Sequence, residues 1–366
     1  MRQRLPALDL LRFIAAALVV LFHYTYRGAV LQRYTSVAFP ELDPFTRYGF
    51  FGIDLFFLIS GFVILMTVEA SGRSPARFLA SRISRLYPVF WVAATLVFLA
   101  MFGRPAPFGV PLSDYFAGLT MAPSWFGASY IDGVYWTLAF EWRFYVGVLL
   151  YLLLLQRWIG IDVLLTGWIA LIAGYTAWPQ LSDWLREPAL RDFGAFFAAG
   201  CLFYRIWDCG WNLLRVGLLA VTWICAMIGA VRQIPLVPAA APDALASIPV
   251  IGINSLFFAL FALLALTPEA LTRGGRTAVA LGALTYPLYL IHQKLGYVLI
   301  NTWEPAIGRW VAFAAATLTV MAIAWSLHRG VERPYNARLR SWLQARLRWL
   351  DSAARVPQPQ GAARTG

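Results

Sequence analysis

Ten apolar runs follow one another along almost the whole chain, each close to the length of about 17–25 residues that a helix needs to cross a bilayer core. They cover roughly residues 8 to 26, 49 to 68, 86 to 103, 134 to 155, 159 to 178, 189 to 207, 212 to 231, 248 to 267, 278 to 300 and 308 to 328. Lipid offers no partner to a backbone N–H or C=O, so runs of this kind fold as helices. The expectation is an all-α polytopic membrane protein of about ten transmembrane helices. Hydrophobic residues make up 60% of the chain and charged ones 13%, far from a soluble average. The first run carries Asp9 and Arg12 and has no clear small-residue cleavage site, so it reads as a retained helix and not as a signal peptide.

Basic residues set the orientation, because short cytoplasmic loops hold an excess of Lys and Arg. With the N-terminus inside, 19 of the 30 basic residues fall in inner loops and tails, among them Arg73, Arg77, Arg82, Arg85 and the series from Arg329 onward. An even number of spans then leaves both termini cytoplasmic. The net charge of +12 is mostly this orientation signal, and no nucleic-acid partner is needed to explain it. Residues 1–335 read as one transmembrane domain. Residues 336–366 read as a cytoplasmic basic amphipathic segment with a disordered Pro-, Gly- and Ala-rich tail. Cys201, Cys209 and Cys225 lack the spacing of a zinc site or redox dithiol and read as packing residues.

An ionisable residue inside a membrane span is costly, which makes each one a candidate for function. Arg12 and His23 lie eleven positions apart on the first span, so they leave the same helix face about 16 Å apart along the axis. Asp54 enters the second span within GFFGIDLFFLISGFVI, where Gly49, Gly52 and Gly61 read equally as surfaces for close helix packing. In RISRLYP, Arg82 and Arg85 share a helical face and suit a phosphate through bidentate guanidinium contacts. The alternative for these arginines is topology alone, and for Arg73 and Arg77 topology is the better account. Glu141, in VYWTLAFEWRFY, sits roughly 10 Å in from the outer boundary, at a depth that His23 can share. His292, in LTYPLYLIHQ, reads either as a member of the same cavity or as a satisfied interhelical hydrogen-bonder. His328 reads as interfacial. Trp125, Tyr130, Tyr135 and Trp136 suit sugar stacking, and they suit an interfacial aromatic belt better.

Together LDLLRFIAAALVVLFH, FFGIDLFFLISGF, RISRLYP, VYWTLAFEWRFY, LTYPLYLIH and VERP resemble acyltransferase family 3, in order, from about Leu8 to Pro334. The resemblance implies a bacterial inner-membrane protein that moves an acyl group, commonly acetyl, from cytoplasmic acyl-CoA to a hydroxyl of a cell-surface or exported glycan. It maps the family's paired Arg and His onto Arg12 and His23, and its Arg-x-x-Arg element onto Arg82 and Arg85. Some members carry an extra hydrolase-like domain, and the sequence is expected to be a stand-alone form. Exopolysaccharide, O-antigen, lipid-linked precursors and nodulation oligosaccharides all remain open as acceptors, as do succinyl and other short acyl groups.

The expected mechanism places acyl-CoA phosphates on Arg82 and Arg85, with Arg12 along the path of the pantetheine arm. His23 then acts as general base or acyl relay, oriented by Glu141 or Asp54. His292, Trp136 and Tyr135 support the site or the acceptor. Acetyl-CoA is a donor substrate, with no permanently bound cofactor and no metal expected. The expected partners are the glycan or lipid-linked sugar, membrane lipid and polysaccharide biosynthesis machinery. A transporter or flippase is the alternative, since buried Arg, His and Glu also serve transport, and a regulatory acyl-CoA-binding protein is a third reading.

Overall fold

The apolar runs fold as helices, and no strand occurs among the described residues. The computed structural model describes residues 5–31, 34–178, 191–234, 246–272 and 275–354. Arg2, Arg4, Arg33, Arg186, Arg273 and the expected tail beyond residue 354 lie outside them.

The main helices are α1 Pro6–Phe22, α2 Gly52–Ala70, α3 Pro75–Met101, α4 Trp136–Leu150, α5 Ile161–Ala177, α6 Gly194–Cys209, α7 Leu213–Gln233, α8 Ser247–Leu266, α9 Gly275–Ile307, α10 Arg309–Leu327, α11 Arg333–Arg346 and α12 Trp349–Ala353. Wider π-helical turns continue α1 through His23–Leu31 and α4 through Tyr151–Leu155, and another joins α10 to α11 through His328–Glu332. Among the described residues, seven helical stretches are long and apolar enough to cross a membrane. The other three expected spans lie on α5, α6 and α9. Two of these are short, at 17 and 16 residues. The third is 33 residues long but interrupts its apolar run with His292, Gln293 and Lys294.

Small residues fix how the helices approach. The α2–α6 crossing is built on Gly61 and Gly200. A Cβ on Gly61 would collide with the carbonyl oxygen of Phe197, and one on Gly200 with that of Leu58. Gly49 and Gly52 bring the start of α2 against the α1 backbone at Leu18 and Ala15. All three glycines of the second apolar run therefore serve close packing. On the other side of α1, Gly282 and Gly296 of α9 make room for Asp9 and the Tyr24 ring. The Tyr24 hydroxyl donates to the His292 carbonyl at 2.8 Å, so α1 is clamped between α2 and α9. Cys201 and Cys225 are buried and free, and Cys209 is exposed.

The basic segment after α10 docks into the bundle. α11 lies along α3, with Ser84 donating to Asn336 at 3.3 Å. Asp351 of α12 accepts from Ser74 Oγ at 2.8 Å and from Ala76 N at 3.1 Å, which holds the first turn of α3.

Gly200→Ala should lower the melting temperature in detergent, because the methyl group meets backbone that cannot step aside; overpacking of this kind costs about 1–3 kcal/mol. Gly217→Ala, where nothing stands within 4 Å of the added atom, should leave the melting temperature unchanged or raise it.

Candidate active site

Two adjoining cavities enter the bundle from the end that carries Arg85 and α11. The outer one, a vestibule of about 680 Å³, is walled by α1, α3, α9 and α11. The inner one, a chamber of about 90 Å³, reaches between α2, α4 and α9 as far as Thr137 and Tyr289. Arg12, Arg85 and Gly282 line both, so the chamber continues the vestibule. Drug-sized ligands occupy sites of about 300–1,000 Å³, which matches the vestibule and leaves the chamber fit for a small group.

Helical spacing aims the chamber's polar side chains. Gly282, Thr285 and Tyr289 follow one face of α9, and Thr137, Glu141 and Tyr145 follow one face of α4. Arg82 is buried and donates to Thr67 Oγ1 and Ser81 Oγ, each at 3.1 Å, with its guanidinium over the Tyr145 ring. Glu141 accepts from the Tyr145 hydroxyl and, at 3.4 Å, from Ser60 Oγ. Arg12 pairs with Asp9 at 3.4 Å. The chamber thus sets three guanidiniums beside one carboxylate, a net positive lining.

Behind Tyr289 lies a pair of histidines. His292 Nδ1 stands 2.8 Å from the Tyr289 carbonyl. His23 Nδ1 stands 2.8 Å from the Val19 carbonyl and 3.3 Å from His292 Nε2. A carbonyl only accepts, so each Nδ1 carries a proton. His292 Nε2 is then the acceptor that faces His23, and His23 Nε2 is left as the free lone pair. His23 is also the first residue of the π-helical turn, a feature that recurs at functional sites.

This arrangement redistributes the expected roles. Neither carboxylate expected to orient His23 is a hydrogen-bond partner of its ring among the described residues. Glu141 is taken by Tyr145 and Ser60, and Asp54 is fully buried where Gln233 of α7 donates to it at 3.3 Å. A backbone carbonyl and His292 hold the imidazole instead. Arg12, Arg82, Arg85 and Glu141 meet in the chamber. His23 and His292 meet each other, and Asp54 lines neither cavity. Tyr135 is buried, its hydroxyl donating to the Leu290 carbonyl at 2.8 Å. Trp136 packs on Phe140 and Phe193. Tyr135 is thus taken up in helix packing, Trp136 is partly exposed, and Trp125 is 71% exposed.

Sequence reasoning missed Tyr289, Tyr145, Ser60 and Thr137 in the chamber, and Arg333, Asn336 and Arg340 in the vestibule. For Tyr289 the signal was present, since Gly282, Thr285, Tyr289 and His292 recur at helical spacing in one polar stripe.

A family model described as an acyltransferase domain matches residues 5–329. The chain belongs to acyltransferase family 3. It is 28% identical over 226 residues to the exopolysaccharide production protein ExoZ of Rhizobium meliloti (strain 1021), across 51% of this chain and 71% of that one. It is 26% identical over 176 residues to the peptidoglycan O-acetyltransferase OatA of Listeria monocytogenes serovar 1/2a, across 43% of this chain and only 26% of that longer protein. No solved structure matches significantly. With its apolar helices, this acyltransferase is a multi-pass membrane protein.

Glu141→Ala should destabilise the acyltransferase in detergent by about 1–3 kcal/mol, because the three chamber guanidiniums keep only the Asp9 partner of Arg12, while the open vestibule lets solvent screen part of the effect. Tyr145→Phe, which keeps that charge, should cost less in the same melting experiment.

Proposed function

We propose that the chain moves a short acyl group, acetyl first among the candidates, from acyl-CoA at the basic, cytoplasmic face of the bacterial inner membrane to a hydroxyl of a surface or exported glycan. The observation that carries this reading is the arginine-lined passage from the vestibule through the chamber to Tyr289, whose carbonyl holds His292 against His23. The exopolysaccharide production named for one relative and the peptidoglycan O-acetylation named for the other support a glycan as acceptor.

In this reading the anionic head of the donor rests on Arg12 and Arg85, which line the vestibule, whereas Arg82, expected beside Arg85 on the phosphates, lines only the chamber, into which the thioester arm extends. Tyr289, whose hydroxyl is bound to Thr137 at 2.8 Å, stands between the chamber and the histidines, so the arm reaches His23 when that contact opens. His23 Nε2 takes the proton of the acceptor hydroxyl as the oxygen attacks the thioester carbonyl. The carbon–sulfur bond breaks, the ester forms, and the proton passes to the CoA thiolate. The imidazolium formed in between keeps Nδ1–H on the Val19 carbonyl and on His292 Nε2. His292 thereby fills, as a neutral acceptor, the orienting place that a carboxylate often takes. A direct transfer and an acyl-histidine relay share this geometry.

The test is ester-linked acetyl on surface polysaccharide, measured by proton NMR in a deletion strain complemented at matched membrane levels. His23→Ala should lower turnover by about 10²- to 10⁴-fold, the usual worth of a general base. His292→Phe should lower turnover while purified protein still binds acetyl-CoA. Octanoyl-CoA should be a far poorer donor than acetyl-CoA, because the acyl end must fit beside two imidazoles already packed against Phe22, Tyr289 and each other. Full acetylation by His23→Ala would remove the base from this reaction.

A further inference from the structure

We infer that α11 supplies the nucleotide clamp of the donor site, with Arg333 and Arg340 as ligands for the phosphates of the 3′-phospho-ADP moiety of CoA. The inference rests on the acyl-CoA reading above and adds to it a second wall of the site that the family match, which ends at residue 329, does not reach.

Four arginines face the vestibule: Arg12 of α1, Arg85 of α3, and Arg333 and Arg340 of α11. Its two acids are already engaged, Asp9 with Arg12 at 3.4 Å and Glu332 with His328 at 2.7 Å. Arg85, Arg333 and Arg340 therefore have no carboxylate partner among the described residues. Positive charge gathered around a cavity and left uncompensated is the environment that a polyanion fills. Arg333 and Arg340 are seven positions apart on one helix, which puts them on one face about 10 Å apart along the axis. That separation suits a ligand with two phosphate centres, and the planar guanidinium grips each in bidentate fashion.

The wall is also anchored. Asn336, between the two arginines, accepts from Ser84 of α3, and Asp351 holds the first turn of α3 through Ser74 and Ala76. A free surface helix would need no such fixings, whereas a clamp must hold its guanidiniums at fixed distance from Arg85. Phosphate groups at this face come from two sources, nucleotides and lipid heads. Arg12 and Arg85 line the chamber as well as the vestibule, so an anion seated here is positioned to send an arm inward, as CoA can.

The test is isothermal titration of the full chain in zwitterionic nanodiscs with CoA and with dephospho-CoA, which lacks the 3′-phosphate. The double variant Arg333→Gln/Arg340→Gln should weaken CoA binding by about tenfold or more, the worth of one or two charge-assisted contacts, and dephospho-CoA binding by less. Arg338→Gln is the matched control, an exposed arginine on the same helix that does not line the vestibule, and should bind as wild type does. Wild-type affinity for CoA in the double variant overturns the clamp. So does a double variant whose only deficit is in binding vesicles that contain phosphatidylglycerol, since that assigns the arginines to lipid. If wild-type protein binds no CoA at all, the acyl-CoA reading fails first and the clamp falls with it.

Discussion

The contact between His23 and His292 joins the packing of the bundle to its chemistry. Two imidazoles 3.3 Å apart are stable in an apolar interior only while both are neutral and their ring hydrogens are satisfied. Backbone carbonyls of Val19 and Tyr289 provide that, and the same bonds fix which nitrogen is left free. The seam between α1 and α9 that holds the rings at this distance depends on Tyr24 reaching the His292 carbonyl, with Gly296 bare enough to admit the Tyr24 ring. Gly49 and Gly52 press the start of α2 against α1 from the other side. Helix packing thus determines where the reactive nitrogen sits.

Charge is handled by a different device. Arg12, Arg82 and Arg85 are set in the bundle with one chamber carboxylate, Glu141, and that carboxylate is tied to Tyr145 and Ser60. The excess positive charge opens into a vestibule with two further arginines. Moving outward from the histidines, the lining passes from neutral imidazole through Tyr289 to guanidinium, an order that suits a ligand with a small uncharged end and a highly anionic head.

Much of the fold was legible because apolar runs near twenty residues allow little except helices in lipid. The Arg12 to His23 spacing was legible for the same reason, since both lie on one uninterrupted run. The partner of His23 was not. His292 is 269 positions away, and depth along a span cannot tell a histidine in another helix from a carboxylate at the same level. Glu141 has the expected depth but turns to Tyr145, four residues on along its own helix, a local bond that long-range reasoning overlooked. Asp54 was singled out for its cost in lipid, and Gln233 on α7 meets part of that cost by donating to Oδ1, while Oδ2 has no hydrogen-bond partner among the described residues. The basic segment after α10 looked like a cytoplasmic appendage because its docking rests on Asn336 and Asp351 meeting residues more than 250 positions earlier. Its charge pattern carried no trace of that.

The most direct measurement is a cryo-electron-microscopy structure of the full chain in nanodiscs with a hydrolysis-resistant thioether analogue of acetyl-CoA. The account predicts density for the phosphates in the arginine vestibule and the arm threaded through the chamber past a displaced Tyr289. The acyl carbon should stand within about 3–4 Å of His23 Nε2, the range of a near-attack geometry. An analogue bound elsewhere on the bundle, or seated in the vestibule with its acyl end directed away from the histidines, would contradict it.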